Sequence, residues 1–294
     1  MASSPNPGAD FPPIVLAFAA SDPSGGAGIQ ADILTLASMG CHPLSVLTAV
    51  TVQDTLGVEG VQPLDAEWVA DQARCLLEDM PVDAFKIGVL GSVENITAIA
   101  EILSDYPDVP LVLDPVLASG RGDELASEDM LQALHELLLP RATIITPNST
   151  EVRRLAEAEE DDEASLASCA QRLIGLGCEY VLVTGTHEPT PQVVNTLYGK
   201  GGVVRSDSWE RLSGSYHGSG CTLASAIAAL LANGLELAEA VREAQEYVWN
   251  TLAKAYRPGM GQLLPDRLFW ARDDEPESPV ADGEAARPPN LHRH

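Results

Sequence analysis

Between residues 14 and 256, short continuous apolar runs alternate with longer stretches of helical spacing. Few folds tolerate that order. A strand that reads apolar at nearly every position has both faces covered, as in a parallel sheet sandwiched between helices. The strand-like runs are 14–20, 44–51, 84–88, 111–116, 143–146 and 180–184. Helical spacing fills 33–39, 65–79, 92–104, 127–139, 164–177 and 237–256, with Ser92 placed to cap the third of these. Residues 192–198 and 203–207 flank Gly199-Lys200-Gly201-Gly202 and predict a hairpin at a sheet edge. The fold expected is α/β: a single three-layer α/β/α domain, doubly wound, with a mostly parallel central sheet and a small edge hairpin.

Composition sets the boundaries. Residues 1–12 are rich in Pro, Gly and Ser and predict a flexible arm, and residues 273–294 predict a disordered acidic tail. That leaves 13–272 as the domain, with 157–163 as a solvated acidic loop. A net charge of −26 argues against nucleic acid or an anionic membrane as a partner, while allowing a local positive pocket. No run reaches the length of a membrane span. The apolar run 14–20 lacks the basic flank of a secretory leader. Five cysteines with no C-x-x-C pair and no metal-ligand spacing predict reduced thiols and a cytoplasmic address.

In such a sheet the carboxyl ends of the strands gather along one edge, and ligands bind there. The polar residues falling at those ends are Asp22, Gln53, Lys86, Asp114, Asn148, Glu151 and Thr184. His217-Gly218-Ser219-Gly220-Cys221-Thr222 runs straight into the Ala-rich stretch 223–235. A helix beginning there offers unpaired N–H groups and partial positive charge to an anion, and a thiol in its first turn would ionise more easily. Taken alone, the same residues read equally as a turn with an N-cap, and a strand-end Asp can merely cap the next element. Asp114, Asn148 and Glu151 offer oxygen ligands for hydrated Mg²⁺. The spacing of Gly25, Gly26 and Gly28 matches neither the dinucleotide fingerprint nor the P-loop. Cradle, oxygen ligands and possible base together describe phosphoryl transfer from a nucleotide.

Ala20-Ser21-Asp22-Pro23-Ser24-Gly25-Gly26-Ala27-Gly28-Ile29-Gln30-Ala31-Asp32 resembles the N-terminal signature of the hydroxymethylpyrimidine/phosphomethylpyrimidine kinases of thiamin biosynthesis, members of the ribokinase-like superfamily. The likeness runs from about Ile14 to Trp270 through Gln53, Lys86-Ile87-Gly88, Asp114-Pro115-Val116, Thr146-Pro147-Asn148 with Glu151, and residues 217–222. It implies an ATP- and Mg²⁺-dependent kinase that phosphorylates 4-amino-5-hydroxymethyl-2-methylpyrimidine and then its monophosphate, acting as a homodimer. On the same grounds Asp22, Gly25 and Gln53 would serve the pyrimidine, with Val89 and Val116 as apolar neighbours of its ring. Asp114 and Glu151 would serve the metal and Asn148 the ATP phosphates. Gly218, Ser219 and Gly220 would form the anion hole, with Cys221 where related sugar kinases carry an aspartate base. The chain departs from the family at Ala20, usually glycine, at Val89, commonly methionine, and at Thr184, often a lysine on the ATP phosphates. Lys86 is the candidate to compensate at that last position. His187 and His217 are expected to support loops rather than catalysis. Pyridoxal kinase is the nearest alternative, and a non-catalytic pyrimidine-binding protein is the alternative from another class.

Overall fold

The structure, a computed structural model, describes residues 11–118, 122–157 and 165–272. The expected tail, most of the expected arm and residues 158–163 of the acidic loop lie outside the described residues.

A nine-stranded sheet forms the middle layer, in the order β3-β2-β1-β4-β5-β6-β7-β8-β9. Its parallel centre is β1 (Ile14–Ser21), β2 (His42–Gln53), β4 (Ala84–Ile87), β5 (Leu111–Leu113), β6 (Ile144–Ile145) and β7 (Tyr180–Val183). Both edges are antiparallel. The expected hairpin, β8 (Gln192–Gly199) and β9 (Gly202–Glu210), closes one side, and β3 (Val58–Pro63) closes the other. Sequence reading missed β3, because Gly60 and Pro63 interrupt a pattern only half-buried at an edge.

Alternate residues of β1 feed the two faces, as a pleat requires. Leu16 and Phe18 enter the core beneath α2 (Ala66–Asp79), α3 (Val93–Leu103), α4 (Glu128–Ala133), α5 (Ser149–Leu155) and α6 (Leu166–Gly175). Val15, Ala17 and Ala19 enter the opposite core beneath α1 (Gly28–Ser38), α7 (Ser219–Ala232) and α8 (Leu237–Ala253). The three-layer expectation is met. Asp65, Ser92, Ser127, Asn148 and Ser165 each cap the helix that follows, accepting a first-turn N–H.

Several boundaries differ from expectation. β2 extends to Gln53, and α1 begins at Gly28 inside the Gly-rich loop. The expected helix 127–139 is α4 followed by a π-turn, Leu134–Leu138, and a 3₁₀ turn, Leu139–Arg141. The extra residue per turn keeps Leu134, Leu138 and Leu139 buried as the chain turns into β6.

α7 passes over the middle of the sheet against β1, β4 and β5. Its Ala-rich sequence lets it lie close, and it is buried almost throughout. Its N-terminus therefore points at the sheet's carboxyl edge, near β1 and β4, where strand order reverses.

Candidate active site

A cleft of about 590 Å³ runs along that edge. Gln53, Val89, Asp114, Val116, Asn148, Glu151, Thr184, Gly218, Ser219, Gly220 and Cys221 all line it. Residues far apart in the chain thus meet at strand ends, as the alternation required. Asp22, Gly25 and Lys86 do not line it, and each has a different task.

Gly218 sets the geometry of the cradle. It adopts φ +83° as the N-cap of α7, a conformation that favours glycine, and a Cβ there would collide with the Gly26 carbonyl. The first bond of the helix runs from Thr222 N to Gly218 O at 3.0 Å. The N–H groups of Ser219, Gly220 and Cys221 consequently have no partner within the helix and open onto the cleft.

Asp22 is a loop organiser, not a wall residue. Its side chain is 1% exposed and accepts from Ser24 N at 2.8 Å, Ala27 N at 2.7 Å and His217 Nε2 at 2.8 Å. Burial alone would raise its carboxyl, but these bonds, led by His217, lower it to about 2. It thereby ties the 22–28 loop to the residue preceding the anion cradle. His217 does support the loop, as expected, whereas His187 stands on the cleft wall. Gly25 turns the same loop at φ +74°, and its carbonyl faces Arg267.

Arg267, which sequence reading missed, braces the site from behind. Its buried guanidinium donates to the carbonyls of Gly26, Gly25 and Gly218 and to Thr222 Oγ1. One side chain thus clamps the Gly-rich loop to the start of α7 from behind. The only signal in sequence was a cation within an apolar segment, with nothing to identify its partners.

Lys86 belongs in the core and not on the nucleotide. It is 0% exposed and its Nζ meets both Asp32 oxygens, at 2.8 and 3.0 Å. Ser225 donates to Asp32 Oδ1 at 2.7 Å. Burial disfavours the ammonium, but the fields of Asp32, Cys221 and Asp114 outweigh it and raise its pKa. Asp32, which the sequence reading passed over, is the counter-ion that fixes this charge beneath the cleft.

Cys221 departs most from expectation. Burial pushes its thiol up to about 12, and Asp114 and Asp32 add to the effect. Lys86 and the Gly28 backbone oppose it without overcoming it. A helix N-terminus favours a thiolate, and burial together with Asp114 and Asp32 acts against it.

Asp114 and Glu151 fit a divalent cation. Asp114 Oδ2 is buried and without a hydrogen-bond partner. A Cβ placed on Gly220 would lie 3.9 Å from Asp114 Oδ1, so the carboxylate faces the cradle. Burial raises Asp114 to about 6 and Glu151 to about 7, with Asp114 raising Glu151 further. Two carboxylates that resist ionising together, one with an orphaned oxygen, suit Mg²⁺ completed by phosphates and water. Asn148 does not fit the oxygen-ligand role, because its Oδ1 already accepts from Thr150 N and Glu151 N, both at 2.9 Å. Its amide nitrogen is left for the cleft. Glu151 also accepts from Asn148 N at 2.9 Å and Leu117 N at 3.1 Å, making the capping box a strut between two strand ends.

The cleft wall also carries apolar Ala20, Val58, Val89 and Val116, with Val58 paired to Gln53 at the end of β2. Val116 holds φ +33°, a strained value for a β-branched residue, and Glu151 secures the next amide. Thr184 lines the far side, pinned by its N–H to Pro147 O at 2.9 Å.

A family model described as phosphomethylpyrimidine kinase matches residues 22–266. The chain belongs to that family. Its chemistry is accordingly phosphoryl transfer. It is 40% identical over 264 residues to a hydroxymethylpyrimidine/phosphomethylpyrimidine kinase of Streptomyces coelicolor, spanning 88% of this chain and 96% of the relative. It is 40% identical over 259 residues to the thiamine biosynthesis bifunctional protein ThiED of Geobacter sulfurreducens, covering 88% of this chain. There the match spans about half, 53%, of the relative's length. Among solved structures, the ADP complex of Bacillus subtilis pyridoxal kinase superposes with a TM-score of 0.81 at 29% identity, covering 88% of this chain and 99% of that one.

Proposed function

We propose that residues 13–272 transfer the γ-phosphoryl group of ATP to the hydroxymethyl oxygen of 4-amino-5-hydroxymethyl-2-methylpyrimidine, and then to the resulting monophosphate, in thiamin biosynthesis. The observation that carries this reading is the junction of two loops. Asp22 and His217 join the signature loop to the anion cradle, with Gln53 and the apolar wall residues in the same cleft. The Gln53 amide is free to bond the amino-pyrimidine edge, and Val89 and Val116 flank the ring.

The chemistry asked of the protein is mainly positioning and charge stabilisation. The N–H groups of Ser219, Gly220 and Cys221 would take the charge on the transferring phosphoryl oxygens. Mg²⁺, when held by Asp114 and Glu151, would neutralise phosphate oxygens. The Asn148 amide nitrogen would donate to ATP. Cys221 enters as a protonated thiol facing Asp114, so its first contribution is to position the acceptor hydroxyl. A loose transition state asks little of a base before the new P–O bond is largely formed. Five free cysteines support a cytoplasmic setting. Exposed Val50 and Val52 on β2, next to the edge strand β3, and Trp68 on α2 support a homodimer.

Pyridoxal kinase activity is the second reading, favoured by the likeness to the Bacillus subtilis enzyme. ADP release measured with each acceptor in turn separates them. A higher kcat/KM for the hydroxymethylpyrimidine is expected, and a preference for pyridoxal would overturn the assignment.

A further inference from the structure

The cleft has a shortage of positive charge. Its walls carry the acids Asp114, Glu151 and Glu210, and among the described residues Arg211 is its only Lys or Arg. Two cations close behind it are spent, Lys86 on Asp32 and Arg267 on loop carbonyls. The whole chain sits at −26. A polyanionic ligand entering such a site needs a local cation, and one is present.

Arg211 follows directly on β9 and is held in a fixed orientation. Nε donates to Thr190 O at 2.9 Å, Nη1 to Thr186 O at 2.8 Å and Nη2 to Glu188 O at 2.9 Å. All three acceptors are neutral carbonyls, and no carboxylate among the described residues forms an ion pair with it. Glu188, the nearest acid in sequence on that loop, is engaged by Arg153 at 3.3 Å. A guanidinium has five N–H donors, so three bonds fix its plane and leave two free, with the charge intact. The loop it holds begins at Thr184, beside Asn148, on the side of the cleft away from Gln53. Trp209 and Trp249 line that same end.

We infer that Arg211 is the cation that binds the polyphosphate of the nucleotide. This rests on the kinase reading above, with the pyrimidine placed at the Gln53 end. The guanidinium is preorganised by the loop, so its remaining donors meet a phosphate without first ordering a long side chain. The same contact lets nucleotide binding fix the 184–190 loop, because one side chain touches both.

Calorimetric titration of ADP and of adenosine, without metal and in the presence of chelator, tests this on three full-length proteins. Wild type is expected to bind ADP more tightly than adenosine. Arg211→Gln should lose about tenfold or more in ADP affinity, the worth of a charge-assisted hydrogen bond, with adenosine changed by less than about twofold. Arg211→Lys, which keeps the charge but not the three-carbonyl fork, should recover most of the preference for ADP. Unchanged ADP affinity in Arg211→Gln would overturn the inference. So would equal losses for ADP and adenosine, which would mean that Arg211 only supports the loop. Should Arg211→Gln fail to fold, Arg211→Lys decides: retention of the ADP preference supports the inference, and its loss refutes it. A wild-type protein that binds no ADP either in chelator or with Mg²⁺ restored would instead remove the kinase reading itself.

Discussion

Removing the Cys221 thiol takes away a group buried against Asp114 and Lys86 at the reacting end of the cleft. Cys221→Ala should lower turnover by about a hundredfold, the cost of a misplaced acceptor hydroxyl, while leaving pyrimidine binding nearly intact. Near-normal turnover by the folded variant would remove the thiol from the mechanism. Asp114 makes a prediction about stability. A carboxyl whose pKa is raised on folding stabilises the protein fully below the unfolded value, near 4. That contribution is lost as pH rises through about 6 for Asp114 and about 7 for Glu151. Metal-free protein should therefore lose stability between about pH 4 and pH 7, and Asp114→Asn should be more stable than wild type at pH 8 by roughly 1–3 kcal/mol. Melting curves in chelator check this, and a variant no more stable at pH 8 contradicts the buried-charge account. The same variant should have almost no kinase activity. Residues such as Gln53, Asp114 and Glu151 were legible because strand ends and a helix start fix where they go. The partners of Lys86 and Arg267 were not legible, because they lie from 45 to 242 residues away in the chain.

At the scale of elements, the site depends on two loops packing backbone to backbone. Gly218→Ala forces a Cβ onto the Gly26 carbonyl and strains a left-handed N-cap. It should abolish activity even where circular dichroism shows the helices intact, and full activity in that variant would contradict the cradle geometry. The Lys86–Asp32 pair ties β4 to α1 beneath those loops. Lys86→Met leaves a buried carboxylate with Ser225 as its remaining partner and should cost about 3–5 kcal/mol in denaturant unfolding. Adding Asp32→Leu should recover much of that loss, since the second uncompensated charge goes with it. The Ser92 cap of α3 was readable because it acts within one turn. β3 and the π-turn after α4 were not, since edge pairing and core fit are decided by distant chain.

Over the whole molecule, the alternation of apolar runs and helices was enough to give three layers and a ligand edge, because a strand buried on both faces leaves few other arrangements. The acidic charge of −26 carried no fold information and became informative only when the cleft showed where the few cations stand. Which heteroaromatic ring enters the cleft is the open point, because the similar solved structures include both phosphomethylpyrimidine kinase and pyridoxal kinase. Mass analysis of products formed from ATP, Mg²⁺ and an equimolar mixture of hydroxymethylpyrimidine and pyridoxal addresses it directly. Pyrimidine monophosphate is expected first and pyrimidine diphosphate after it, with pyridoxal phosphate a minor product. Pyridoxal phosphate as the main product, or no phosphorylated pyrimidine at all, would contradict the pyrimidine-kinase reading.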